Sequence, residues 1–320
     1  MMRSTVNWHG KPYYSLDAWC KNTLHHKCYK IALNAHMTCP NRDGTKGSGG
    51  CIFCSAGGSG DFAVSTAGIS LENQLSEGES LLSQKAAFPQ DTPCIIAYFQ
   101  AYTNTYAPVE YLEHLFSRTL SSPKVCGISI ATRPDCLPKE VLTLLNSLKK
   151  RFADKFIWVE LGLQTIHEDT ARFIRRGYEL PCFEEAFAQL QVLNIPVIVH
   201  AILGLPKESR TQMMETVSYL NRLKPFGIKL QLLHVLKNTD LEVFYRDGAF
   251  EVLEREEYLE LVIDCLERLS CDIVIHRITG DGPKKLLIAP LWSGDKRGVL
   301  NELHRKMRER GSFQGCRLDM

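Results

Sequence analysis

At 320 residues, 44% hydrophobic and 23% charged, the chain has the composition of a globular protein with a large core, which excludes a disordered or fibrous one. A formal net charge of +2 supplies no whole-protein field toward nucleic acid. No apolar run reaches the roughly 20 residues of a membrane span, and the start, MMRSTVNWHGKPYY, lacks the apolar centre of a signal peptide, so a cytoplasmic protein without membrane contact is expected.

Residues 1–28 read as an N-terminal segment. From residue 29 onward, YKIALNA, CIIAYFQ, VCGISIA, FIWVELG, IPVIVHAILG and IKLQLLHV follow one another as short, unalternated apolar runs. Such runs predict strands buried on both faces, hence a parallel sheet. Between them, PVEYLEHLFSRTL, PKEVLTLLNSLKKRF and ESRTQMMETVSYLNRL carry apolar residues three and four apart, and two of these open with proline, as helices do. Six βα units predict an α/β fold, a partial parallel (β/α)6 barrel of the TIM type over residues 29–270, with functional groups at the C-terminal ends of its strands. Beyond residue 270, CDIVIHRI, KKLLIAP and GDKRGVLNELHRKMRERG predict one or two strands and a helix, a small extension over 271–320 packed on the core.

Nine of the twelve cysteines (Cys20, Cys28, Cys94, Cys126, Cys136, Cys182, Cys265, Cys271, Cys316) stand singly, as reduced and mostly buried thiols would. The other three, Cys39, Cys51 and Cys54, fall in CPNRDGTKGSGGCIFC just after the first strand, around Gly44, Gly47, Gly49 and Gly50, which let a backbone fold tightly about a bulky object. A structural zinc ion wants four ligands, and a second pair would come from Cys20, Cys28, His25, His26 or His36. Unliganded thiols are a further alternative. A [4Fe-4S] cluster normally takes four thiolates; three leave one iron open to a substrate or cofactor. The ends of the chain are basic, with seven Lys/Arg against two Asp in residues 1–46 and the run KRGVLNELHRKMRERG near the C-terminus. These are either solvated faces or a phosphate-binding rim.

With its three cysteines after strand one, the chain resembles the radical S-adenosylmethionine (SAM) enzymes. Their commonest pattern is C-x3-C-x2-C; the C-x11-C-x2-C spacing here resembles the YhcC/YtqA-type subgroup, itself similar to the catalytic subunit of Elongator. The resemblance continues in order through YFQAYTNTYAP, ATRPDCLP, VELGLQTIHEDT, RRGYE, ILGLP, LLHVLKNT, HRI and LLIAPLW. It implies a [4Fe-4S] cluster on Cys39, Cys51 and Cys54, with SAM at the open iron and Phe53 beside its adenine. It further implies SAM contacts from Gln100 and Asn104 after strand two, and from Thr132 near Ala131, where many relatives carry a ribose-binding carboxylate. Arg133 and Asp135 are neighbouring candidates there. Thr103, Asn104 and Thr105 also read as a cap before Pro108. Glu160 and Gln164 are implied SAM contacts too: four apart on an extended segment, they project to one side, and a carboxylate inside a barrel must be paired or functional. Arg176 falls where relatives use an arginine on the SAM carboxylate, and His200 near the ribose. Lys229, His234, Lys237, His276, Arg277 and Trp292 are candidates for the substrate end. The implied reaction is reductive cleavage of SAM to a 5′-deoxyadenosyl radical, fed by a flavodoxin- or ferredoxin-type one-electron donor. The implied substrate is the wobble uridine of tRNA, a carboxymethylaminomethyl group at carbon 5 becoming aminomethyl. A small metabolite as substrate, and a non-catalytic iron–sulfur or zinc RNA-binding protein, are the alternatives.

Overall fold

The structure, a computed structural model, describes residues 8–58, 60, 70–83, 94–280 and 282–318. Among these the strands are β1 (Cys28–Leu33), β2 (Cys94–Phe99), β3 (Val125–Thr132), β4 (Phe156–Gln164), β5 (Val197–Leu203), β6 (Gly227–Leu232), β7 (Val235–Leu236), β8 (Val274–Arg277) and β9 (Leu287–Ala289). The helices are α1 (Leu16–Thr23), α2 (Leu71–Ser83), α3 (Val109–Leu120), α4 (Lys139–Arg151), α5 (Glu168–Phe173), α6 (Leu180–Val192), α7 (Arg210–Leu223), α8 (Asp240–Arg246), α9 (Arg255–Arg268) and α10 (Lys296–Glu309).

Seven strands form one parallel sheet in the order β1-β2-β3-β4-β5-β6-β8. Parallel neighbours need long crossovers, and helices supply them. The strands bury both faces as expected. Leu33, Phe99, Ile128 and Val199 face the helices with Phe116, Leu145, Phe187 and Leu220, while Ile96, Trp158 and Ile198 face inward. Curvature follows from contacts across the concave face. In a flat sheet β2 and β6 would lie about 19 Å apart, at roughly 4.8 Å per strand spacing. Yet Lys229 of β6 reaches the Tyr98 hydroxyl of β2 at 3.0 Å. The sheet is therefore curled into a half-barrel, and no β1–β8 pairing closes it among the described residues.

The six strands expected from the sequence are joined by a seventh, β8, from the segment beyond residue 270, which pairs in parallel with β6. Its four residues are too short a run to announce a barrel strand; burial of Val274 and Ile275 against the N-terminal segment makes it one. Ile275 N donates to Tyr14 O at 2.7 Å. Leu287–Ala289 pairs antiparallel with Val235–Leu236 outside the main sheet. At the N-terminal end of the barrel, Trp19 of α1 packs edge-on against Trp158 (centroids 5.0 Å apart) and Phe226 (5.4 Å).

The C-terminal basic run docks α10 onto α9. Lys306 pairs with Glu260 at 3.1 Å, and Arg310 with Asp264 at 2.8 Å and Glu267 at 3.0 Å. These pairs hold α10 on the core, while Lys296, Arg297 and Arg308 of the same run stay exposed.

Candidate active site

The three-cysteine loop follows β1 at the C-terminal edge of the sheet. It is knit by its own backbone: Arg42 N donates to Cys39 O at 2.8 Å, Gly50 N to Asn41 O at 2.8 Å and Cys54 N to Cys51 O at 3.0 Å. Gly50 has φ +79°, and a Cβ there would meet the Arg42 side chain at 2.8 Å. Arg42 needs that space, because its guanidinium reaches across to Cys54 O at 2.8 Å and Ser55 O at 2.5 Å. Asn41 Nδ2 donates to Arg175 O at 2.6 Å and faces Cys51 Sγ at 3.7 Å. Burial pushes the Cys51 thiol up to about 12, and the charges of Cys54 and Cys39 add to that push. A cationic metal group bound at this wall would neutralise the thiolate of so buried a cysteine.

Cys39, Cys51 and Cys54 form one wall of a cavity whose lining also includes Phe53, Gln100, Thr132, Glu160, Gln164, Arg176 and His200. Asn104 is absent from that lining. It is fully buried behind it, its Nδ2 donating to Phe99 O and Ala131 O, both at 3.0 Å, so it braces the β2–β3 edge. Thr132 shares a hydrogen bond with Thr105 at 2.5 Å. Gln164 ends β4 beyond an irregularity in the β4–β5 register, at φ +66°, and its Oε1 is buried with no partner. A left-handed non-glycine residue and an orphaned acceptor at one position mark a site that awaits a donor.

Arg176 is 1% exposed and mostly committed. Its Nε donates to Tyr178 O at 2.9 Å, Nη1 to Leu163 O and Thr165 O at 3.0 and 2.7 Å, and Nη2 to Glu168 at 3.2 Å. Of the five guanidinium N–H groups, this leaves one for a ligand. Arg133 is also held, in a bidentate pair with Asp135 at 2.9 and 2.8 Å.

Deeper in the barrel, Glu160 accepts from four side chains: Lys30 at 2.6 Å, Ser129 at 2.5 Å, His200 at 2.6 Å and Lys229. Burial pushes its carboxyl up, but the charges of Lys229 and Lys30 and the His200 hydrogen bond outweigh it and hold the group well below the carboxylate range. Both carboxylate oxygens are thus filled by the chain's own donors. Sequence reasoning missed Lys30 and Tyr98, although the argument that flags a charged residue in an apolar strand applies to Lys30 as it does to Glu160. Of the substrate-end candidates, Lys229, His234 and Arg277 line the cavity. His276 instead packs edge-on against Trp158 at 5.4 Å, and Trp292 donates to Leu253 O at 3.2 Å.

His200 carries a pH prediction. Burial first and the Lys229 charge second push it down to about 4, whereas an unfolded histidine titrates near 6.5. Between these values the unfolded chain binds the extra proton, so stability is full above about pH 6.5 and falls on acidification toward pH 4. Denaturant titration should find the fold about 2 kcal/mol weaker at pH 5 than at pH 7 from this group, and His200→Gln should flatten the difference. Equal pH dependence in the two proteins would show that another group governs it.

Comparison with known proteins identifies the class. Residues 42–220 match the Radical SAM superfamily and residues 225–309 the Radical_SAM C-terminal domain. The chain belongs to the radical SAM superfamily, whose members use a [4Fe-4S] cluster and SAM. Within it, YtqA of Bacillus subtilis (strain 168) is 44% identical over 305 residues, covering 95% of this chain and 92% of that one. YhcC of Escherichia coli (strain K12) is 32% identical over 292 residues, 91% of each. Elongator complex protein 3 of Homo sapiens is 27% identical over 208 residues, 62% of this chain; the match spans about a third of that protein's length (34%). Among solved structures, Methanocaldococcus infernus Elp3 shares the fold, with a TM-score of 0.65 at 16% identity over 90% of this chain and 64% of that one.

Proposed function

We propose that Cys39, Cys51 and Cys54 hold the cluster and that the enzyme acts on the wobble uridine of tRNA, tailoring its side chain at carbon 5. The observation that carries the site is that Cys39, Cys51, Cys54, Phe53 and Gln164, whose Oε1 is orphaned, line one cavity at the C-terminal strand ends. When bound, the reduced cluster supplies the electron that cleaves SAM to methionine and a 5′-deoxyadenosyl radical. The chain's own residues bind and orient. Phe53 offers a ring face to the adenine, Gln164 Oε1 accepts from an amino group, and the free N–H of Arg176 meets a carboxylate. Glu160, its oxygens filled, fixes the floor of the cavity beneath them and takes no ligand. The cytoplasm, and a flavodoxin- or ferredoxin-type donor, suit a reductive reaction of this kind.

The tRNA reading rests on the sequence likeness to Elongator complex protein 3. It is supported by Lys284 and Lys285, exposed beside Pro283 at the cavity wall, where cations would meet a phosphate backbone. An anticodon base flipped from its loop would enter the same opening. Mass spectrometry of tRNA nucleosides from cells carrying Cys51→Ala, beside wild type, should reveal loss of one wobble-uridine derivative and accumulation of its precursor. An unchanged profile would redirect the search to a small metabolite and leave the superfamily assignment intact.

A further inference from the structure

At the end of the sheet opposite the cavity, roughly 20 Å away by strand length, Cys28 opens β1, Cys94 opens β2 and Cys126 is the second residue of β3. Cys28 and Cys94 are register partners, so their side chains leave the same face. Cys126 arrives there by an irregularity. Val125 pairs with Ile95 and Gly127 with Ile96, which leaves Cys126 as an extra residue in β3. Val125 and Ile128 belong to the layer under the helices, whereas Cys126 packs inward with Trp158 and Cys20. A bulge of this kind re-aims a side chain at the expense of ladder pairing.

The three Sγ atoms lie within 4.8 Å of one another, Cys28 and Cys94 at 3.1 Å. Cys20 of α1, 1% exposed, packs in the same cluster as Cys28 and Cys126, just outside the group of three that lies within 4.8 Å. Thiols are weak donors and weak acceptors, so four of them gain little from one another as thiols. As ligands they gain much: a tetrahedral ion with Zn–S bonds of about 2.3 Å sets its sulfurs about 3.8 Å apart. An iron–sulfur cube interposes its own sulfides and holds its cysteines farther apart. A disulfide would join Cys28 to Cys94 and leave no account of the bulge that delivers Cys126.

We propose that Cys28, Cys94 and Cys126, with Cys20 as the fourth ligand, form a structural zinc site that ties α1 to the N-terminal ends of β1, β2 and β3. A closed set of four thiolates leaves no open position, which suits stabilisation and not catalysis. The site is separate from the three-cysteine loop and does not depend on the identity of the substrate.

Zinc and iron are measured together on cluster-loaded protein purified without oxygen. The expected result is about one zinc per chain beside the iron. In Cys94→Ser/Cys126→Ser protein, zinc falls to near none while iron is retained. Because losing a structural ion can unfold the chain, Co2+ alone is also titrated into zinc-free Cys39→Ala/Cys51→Ala/Cys54→Ala protein. There, the visible ligand-field bands and the near-ultraviolet thiolate charge transfer of a tetrahedral site are expected, weakened by a further Cys20→Ser. Wild-type protein with no zinc, together with no cobalt–thiolate spectrum, overturns the proposal. So does a Cys28–Cys94 disulfide in the anaerobic protein, or full zinc in the double variant.

Discussion

Alanine at Cys51 is expected to remove most of the iron and all 5′-deoxyadenosine formation from SAM, and alanine at Cys39 or Cys54 to do the same. The reason lies in the loop's construction. Its backbone is held in place by Arg42 and Asn41, so no other thiol can move in when one is lost. Cys136, the nearest alternative in sequence beyond β3, is buried, with its thiol pushed up to about 12 by that burial. Two thiolates hold a cluster far less firmly than three. Iron per chain and 5′-deoxyadenosine after anaerobic incubation with SAM and reductant measure both losses. Cys136→Ala is the control and should keep the iron. SAM cleavage persisting in any one of the three loop variants would remove that cysteine from the ligand set.

The second large effect is on stability. Glu160→Gln preserves shape but leaves Lys30 and Lys229 facing each other without the carboxylate that neutralises them, and the Lys229 side chain is only 3% exposed. Removing one partner of a buried ionic network costs about 3–5 kcal/mol, because the remaining charge is stranded. The denaturant midpoint of Glu160→Gln should fall accordingly. Adding Lys229→Met should restore a good part of the loss, since an apolar side chain has no charge to desolvate. A Glu160→Gln midpoint within about 1 kcal/mol of wild type would mean that the network is neutral in energy and retained for shape alone.

Much of the barrel was legible from residue types. CIIAYF and VIVHAIL bury nearly every position, and a strand covered on both sides must be apolar throughout, which is visible without coordinates. The cysteine loop was legible for the same local reason: spacing and glycines are properties of a short stretch of chain. The place of β8 in the main sheet is not legible in its four residues, which carry almost no periodic signal, and only pairing with β6 gives them that role. Asn104 holds two backbone carbonyls behind the cavity, and Arg176 lines the cavity but gives four of its five N–H groups to three carbonyls and Glu168, bonds that residue type and position cannot disclose.

Sequence by itself determined the order of strands and helices, the superfamily, and the three thiols after β1, because each is written in local pattern. Tertiary structure alone decided which side chains meet. Parallel register puts Cys28 beside Cys94, 66 residues later in the chain, and one extra residue in β3 turns Cys126 to join them. Curling of the sheet brings Lys30, Glu160 and Lys229 from β1, β4 and β6 onto one point. Hydrogen bonds and ion pairs act over a few ångströms of space. Distance along the chain carries no information about them until the sheet has curled.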